Sequence, residues 1–423
     1  MRTIKALVFA LPAMLTTGEV VSVMTVSALT VGTLLSAPAY AAKDTVSAKV
    51  GKPLQEAQAL VKANDLKGAL AKIKEADAMS GKTPFEEKTI SEFLAFVALK
   101  QGDYTTAAKA YEDLLNGPGA DPQQLSQRLL TLTQLNYQNK NYPKAIQFGN
   151  RYLKEVGNNV DVALLVTQSY YIQKDYPHTL EAVQNLQKIA AAAGQPVKEN
   201  WLQLQMSSLH LLNRDDEAMA VLDKLLASFP SKAYWKDMLT IVKNAGGLTD
   251  RGHVELLRLK RAAEVLEPSE MVEMAELSMA IGVPGDAKSI LESGFASKDL
   301  GAGASKDREN RLLNKARTDS DADQKTLDSQ AKQAASAATG DLDTKIGEAY
   351  ASYGQYDKAI ESITRGLKKG GVTAEDEANL HLGQALFASK KYGEAATAFK
   401  AVKSDSKYAR IAHLWTVLAN NKK

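Results

Sequence analysis

Histidine, aspartate and glycine are the residues through which this chain could do chemistry, and their spacing limits which chemistry that is. The five histidines, His178, His210, His253, His381 and His413, are scattered. No His-Glu-x-x-His run occurs, and no paired spacing would bring two imidazoles onto one metal. Each reads as a surface or packing residue. Asp319, Asp321 and Asp323 alternate as the first ligands of a calcium loop do. Such a loop needs Gly at its sixth position and Glu at its twelfth. Gln324 and Gln330 stand there instead, which leaves a solvated acidic patch. Gly301-Ala302-Gly303 ahead of Ser305-Lys306 lacks P-loop spacing and a preceding strand. The chain has no cysteine nucleophile and no Gly-x-Ser-x-Gly elbow. The sequence therefore predicts no enzyme, no cofactor and no metal.

What remains is the chemistry of recognition. Gln134-x-x-Tyr137 recurs as Gln168-x-x-Tyr171, 34 residues later. One helical turn separates the members of each pair, so amide and ring share a face. An amide pairs with backbone N–H and C=O groups, and a tyrosine offers apolar area with one polar tip. Aligning the helical units adds Phe96, Gln203, Ser207 and His210 to that face. Together these positions suit an extended peptide or a helix. The competing reading places both tyrosines in the core between hairpins.

The elements that must position this ladder follow a repeat. Tyr142 and Tyr176 lie 34 residues apart in similar settings (NKNYPKAI, QKDYPHTL), and Trp201 and Trp235 share the same interval. Tyr356 and Tyr392 are 36 apart, and Tyr104 opens the series. Residues 347–366 show the local logic. Gly347 and Tyr350 belong to a first helix, and Gly354 supplies the turn, where positive φ costs glycine little. Ala359 then falls at the helix–helix contact, with Ile360 and Ile363 behind it at helical spacing. Gly383, Tyr392, Ala395 and Phe399 repeat the scheme; Ala107, Ala145 and Ala218 take the small position in earlier units.

A period near 34 with small residues at the contact resembles the tetratricopeptide repeat superfamily over most of residues 52–420. The resemblance implies an all-α, tetratricopeptide-like helical-hairpin solenoid whose first helices line a concave surface. Thr179 replaces the expected alanine, and residues 236–270 fit the pattern poorly.

The ends and the composition set the organisation. Residues 1–41 read as a signal peptide: Arg2 and Lys5, an apolar stretch, then Ala39-Tyr40-Ala41 as a cleavage site. A retained anchor is the rival, although the run 20–35 is short for a spanning helix. Cleavage implies a periplasmic protein with no membrane insertion thereafter. With 52 basic and 49 acidic residues the charge is nearly balanced, which argues against a nucleic-acid partner. An N-terminal solenoid spans 42–297 and a C-terminal repeat pair with a capping helix spans 341–423. Between them, residues 298–340 contain no aromatic and alternate in charge. They read as a mobile, protease-sensitive linker or as one exposed charged helix.

Two segments resemble something narrower. NWLQLQMSSLHLLNRDDEAMAVLDKLLASFPSKAYW with GVPGDAKSILESGF, and LHLGQALFASKKYGEAATAFKAV with IAHLW, look like periplasmic repeat proteins that accompany TonB-type energy-transducing systems. That resemblance implies an accessory, non-enzymatic scaffold binding a protein or peptide of the cell envelope. The alternative is a generic envelope assembly or secretion scaffold acting as a structural oligomer. The oligomeric state and the partner's identity stay open.

Overall fold

A computed structural model describes residues 45–118 and 120–422; the expected leader lies outside them. Among the described residues every regular element is helical. Four hairpins come first: α1 (Ala48–Lys62) with α2 (Leu66–Asp77), α3 (Pro84–Gln101) with α4 (Tyr104–Asn116), α5 (Leu125–Gln138) with α6 (Tyr142–Glu155), and α7 (Val160–Ile172) with α8 (Tyr176–Ala192). Then follow α9 (Glu199–Leu211) and α10 (Asp215–Ser228). Next come α11 (Lys232–Asn244), α12 (Asp250–Ala262), and the hairpin of α13 (Pro268–Ala280) and α14 (Pro284–Ser297). The long α15 (Lys306–Ser336) precedes α16 (Asp341–Ser352) with α17 (Tyr356–Lys369), α18 (Glu375–Ala388) with α19 (Tyr392–Lys400), and α20 (Ala409–Asn421). The fold is an all-α helical solenoid.

The periodic tyrosines have one structural job. Tyr104, Tyr142, Tyr176, Tyr356 and Tyr392 each begin the second helix of a hairpin. The first helix before it ends in a residue of left-handed conformation: Gly102, Lys140, Lys174, Gly354 or Lys390. The following residue then donates back into the helix, as Asn141 N does to Asn136 O at 2.8 Å, closing the helix end. Asp65, Asp103 and Asp175 cap the helix that follows by accepting from backbone N–H groups in its first turn.

Two compact units divide at Ala218 and Met219, inside α10. In the N-terminal unit, first helices approach their successors, α1 with α3 and α5 with α7. Its core is built from small and aliphatic contacts such as Ala57, Ile73, Ala107, Leu129, Leu132 and Leu186. Glu86 ties α1 to α3: its carboxylate accepts from Ser47 N and Thr83 N, both at 2.8 Å. The Ser47 side chain, followed by those backbone bonds, holds its pKa down to about 2.

The C-terminal unit holds the two segments that the repeat pattern describes least well. In 236–270, both α11 and α12 end in a left-handed turn, at Gly246 and Glu264. Two such turns fall within one repeat length there, which is why the 34-residue template fits poorly. Segment 298–340, read from sequence as a mobile linker or one exposed charged helix, is occupied mainly by α15, which packs against α14 and α16. Its Leu313, Ala316, Leu327 and Ala334 are buried. Its charges act as anchors: Arg308 pairs with Glu276, Arg317 with Glu292, while Tyr353 and Tyr350 donate to Asp323 and Asp328 at 2.6 and 2.9 Å.

Small residues sit where two helices touch. A Cβ on Gly347 would lie 2.3 Å from Ile363 Cγ1, and one on Gly383 2.3 Å from Phe399 Cε1. Ala395, fully buried on α19, belongs to the same contact class. The substitution Ala395→Leu is expected to destabilise by roughly 1–3 kcal/mol through overpacking. Urea unfolding of the full chain checks it, with the loss confined to neighbouring helices as in a nearly one-dimensional array.

Candidate functional site

The left-handed turns give every repeat a common ruler. Six residues before them stand Phe96, Gln134, Gln168 and Ser207 in the N-terminal unit. Tyr137, Tyr171 and His210 stand three residues before the turn. The sequence-predicted ladder therefore occupies equivalent positions on α3, α5, α7 and α9, apart from Gln203, which follows a different offset.

Individual environments differ along the ladder. Gln134 and Gln168 are half-buried, and their side-chain amides bond to nothing among the described residues. Phe96 is half-buried in the first core cluster, with Lys100 Nζ 5.0 Å above its ring. Tyr137 and Tyr171 pack edge-on against Tyr142 and Tyr176 across the turn, with centroids 5.7 and 5.8 Å apart. Tyr171 is buried and its hydroxyl meets Ser207 at 2.8 Å, joining α7 to α9. Burial pushes both tyrosine pKa values up. Gln203 donates to Glu199 at 3.4 Å, and His210 Nδ1 lies 3.0 Å from Asp215. The open hydrogen-bonding capacity of the ladder thus rests with the two glutamines, and Tyr171 with Ser207 serves the stack.

The C-terminal unit places two charged side chains and an amide at the same offset. Arg258, Glu348 and Gln384 stand six residues before Glu264, Gly354 and Lys390. They converge with Glu255, Asp286 and His381 on a buried cluster. Arg258 donates through Nε to Asp286 at 2.7 Å and through Nη1 to Glu255 at 2.6 Å and Glu348 at 3.3 Å. His381 Nε2 lies 2.9 Å from Glu255 Oε1, and Gln384 Nε2 donates to the other oxygen at 2.6 Å. Arg251 bridges Glu348 at 2.8 Å and Glu377 at 2.7 Å. One cluster clasps α12, α14, α16 and α18.

Burial alone would raise the Glu255 pKa, but Arg258 and His381 outweigh it and bring it down to about 2. Burial likewise opposes a charged His381, yet Glu348 and Glu255 prevail and its pKa is raised. Glu255, Glu348 and His381 offer ligand-type atoms within 4.8 Å of one another. The Arg258 guanidinium is threaded among these groups, so the positive charge they attract is supplied by the chain itself. Sequence reasoning missed this cluster because its members are up to 129 residues apart and follow no motif. The common offset from the turn, shared by Arg258, Glu348 and Gln384, was the signal that could have found it.

The tetratricopeptide repeat family matches residues 54–124 and 344–409, one stretch in each unit. Those two stretches carry tetratricopeptide repeats. Repeats of this superfamily form protein-binding scaffolds, and the matched stretches take in most of α1 and all of α2 to α4, and most of α16 with α17 to α19. Among solved structures, the chain is similar to a MamA fragment from Desulfovibrio magneticus at 13% identity and a TM-score of 0.29, over 43% of this chain and 95% of that one. It is also similar to a tetratricopeptide repeat protein from Parabacteroides merdae at 12% identity and a TM-score of 0.30, over 80% and 100% of the two chains. The C-terminal part of a repeat protein from Cytophaga hutchinsonii gives 14% identity and a TM-score of 0.26, over 54% and 80%. No curated protein matches the sequence.

Proposed function

We propose that this tetratricopeptide-repeat protein is a non-enzymatic scaffold of the cell envelope, and that the first-helix face of its N-terminal unit holds a polypeptide. One observation carries the reading. Gln134 and Gln168 stand at the same repeat position, and their amides have no partner among the described residues. Each amide can serve a partner's backbone as donor and acceptor together. The same position in the C-terminal unit is satisfied internally by Arg258, Glu348 and Gln384, which directs the partner to the N-terminal unit. A photo-crosslinking residue at 134 or 168 in intact cells is expected to trap one discrete partner, and at exposed Asn185 on α8 to trap none. Equal trapping at all three positions would remove the reading.

The location belongs to the same proposal and is supported by the Ala39-Tyr40-Ala41 site after an apolar run. N-terminal sequencing of fractionated protein is expected to begin at Ala42 in the periplasmic fraction; an intact leader in the membrane fraction would exclude it. Among the described residues no helix is long and apolar enough to cross a membrane. An accessory role beside a TonB-type system is the narrower form of the proposal and rests on sequence resemblance alone.

A further inference from the structure

The C-terminal unit contains a cavity of about 340 Å³ against the buried ion cluster. Its volume lies at the low end of small-molecule pockets. The ruler set by the turns explains its walls. Arg258, Glu348 and Gln384 come from the position six residues before the turn, and Arg261 and Phe387 from the position three before it. The cavity is thus built from the same turn-relative positions as the N-terminal ladder, with α12 supplying Arg258 and Arg261.

The carboxylates on the cavity wall are taken: Asp286 by Arg258, and Glu348 by Arg251 and Arg258. Two donors on the wall meet no carboxylate. Trp415, 4% exposed, lines the cavity, and its indole N–H has no hydrogen-bond partner. Arg261 donates to Ser289 Oγ at 3.0 Å and pairs with no carboxylate among the described residues. A buried donor without an acceptor is costly, so a molecule that brings acceptors is favoured there. Phe387 and Trp415 meet edge-on at 5.2 Å beside Tyr356, which gives a flat ligand body an aromatic wall.

We propose that this cavity binds a small aromatic carboxylate, its ring against Phe387 and Trp415 and its anionic group toward Arg261 and the indole N–H. The site is independent of the polypeptide-binding face.

Phenylacetate and phenethylamine, which share a ring and differ in charge, test it on the full chain by saturation-transfer NMR and calorimetry. Phenylacetate is expected to bind in the millimolar range or better, and phenethylamine at least tenfold more weakly (about 1.4 kcal/mol). Arg261 is exposed, so Arg261→Ala leaves the core intact and is expected to weaken phenylacetate by roughly tenfold. Trp415→Phe keeps a ring against Phe399 and is expected to weaken binding as well. The proposal is overturned if phenylacetate shows no transfer at millimolar concentration, if the amine binds equally, or if Arg261→Ala leaves binding unchanged.

Discussion

Replacing Arg258 by methionine should destabilise the C-terminal unit as much as truncating a large buried apolar side chain. The guanidinium is the shared partner of Glu255, Asp286 and Glu348, which arrive from three different helices. Without it, Glu255 keeps only His381 and Gln384, and Asp286 loses the partner that buries it. Breaking a buried ion pair from one side costs roughly 3–5 kcal/mol, because the remaining charges stay desolvated. Denaturant unfolding of Arg258→Met gives the magnitude. Hydrogen exchange gives the place: α12, α16 and α18 should lose protection, while α3 to α8 keep theirs. A loss under 1 kcal/mol would mean that the cluster is wetter than its burial indicates.

Stability should also rise and fall with pH around this cluster, and the two limbs have different owners. Glu255 titrates at about 2 in the folded chain against an ordinary 4.5. A lowered carboxyl pKa contributes stability that is complete above 4.5 and is lost as the pH falls toward 2. The shift corresponds to about 3 kcal/mol. Glu348 is lowered as well, with burial outweighed by His381, Arg258 and Arg251. Glu86 in the N-terminal unit adds to the same acid limb. The alkaline limb belongs to His381, whose pKa is raised from 6.5. Its contribution is complete below 6.5 and is lost as the pH rises through the folded value. Melting temperature is therefore expected to plateau between about 4.5 and 6.5 and decline on both sides. His381→Gln should abolish the alkaline decline and leave the acid decline from Glu86 in place. An unchanged alkaline limb in that variant would assign it to another group.

The hairpins were legible because each is a local decision. Gly354, Tyr356 and Ala359 specify a turn, a helix start and a contact within six residues. The ladder was legible as a register: Gln134, Tyr137, Gln168 and Tyr171 occupy equivalent positions, as their spacing required. Their roles were not, because role depends on what stands opposite. Ser207 lies opposite Tyr171 and takes its hydroxyl, while Gln134 and Gln168 meet no such group. His381 read as a surface or packing residue from sequence, and it is buried; nothing local told that Glu255 would lie against it.

By itself, then, the sequence determined the helices, the turns between them and the repeat positions that share a face. Those follow from periodicity, glycine and small-residue contacts acting over a few tens of residues. Tertiary structure alone decided that α12 brings Arg258 against Glu348 and Gln384, that the charges of α15 become anchors, and that a cavity forms beside the cluster. The physical reason is distance along the chain. An ion pair spanning 90 residues depends on the summed geometry of every hairpin between its partners.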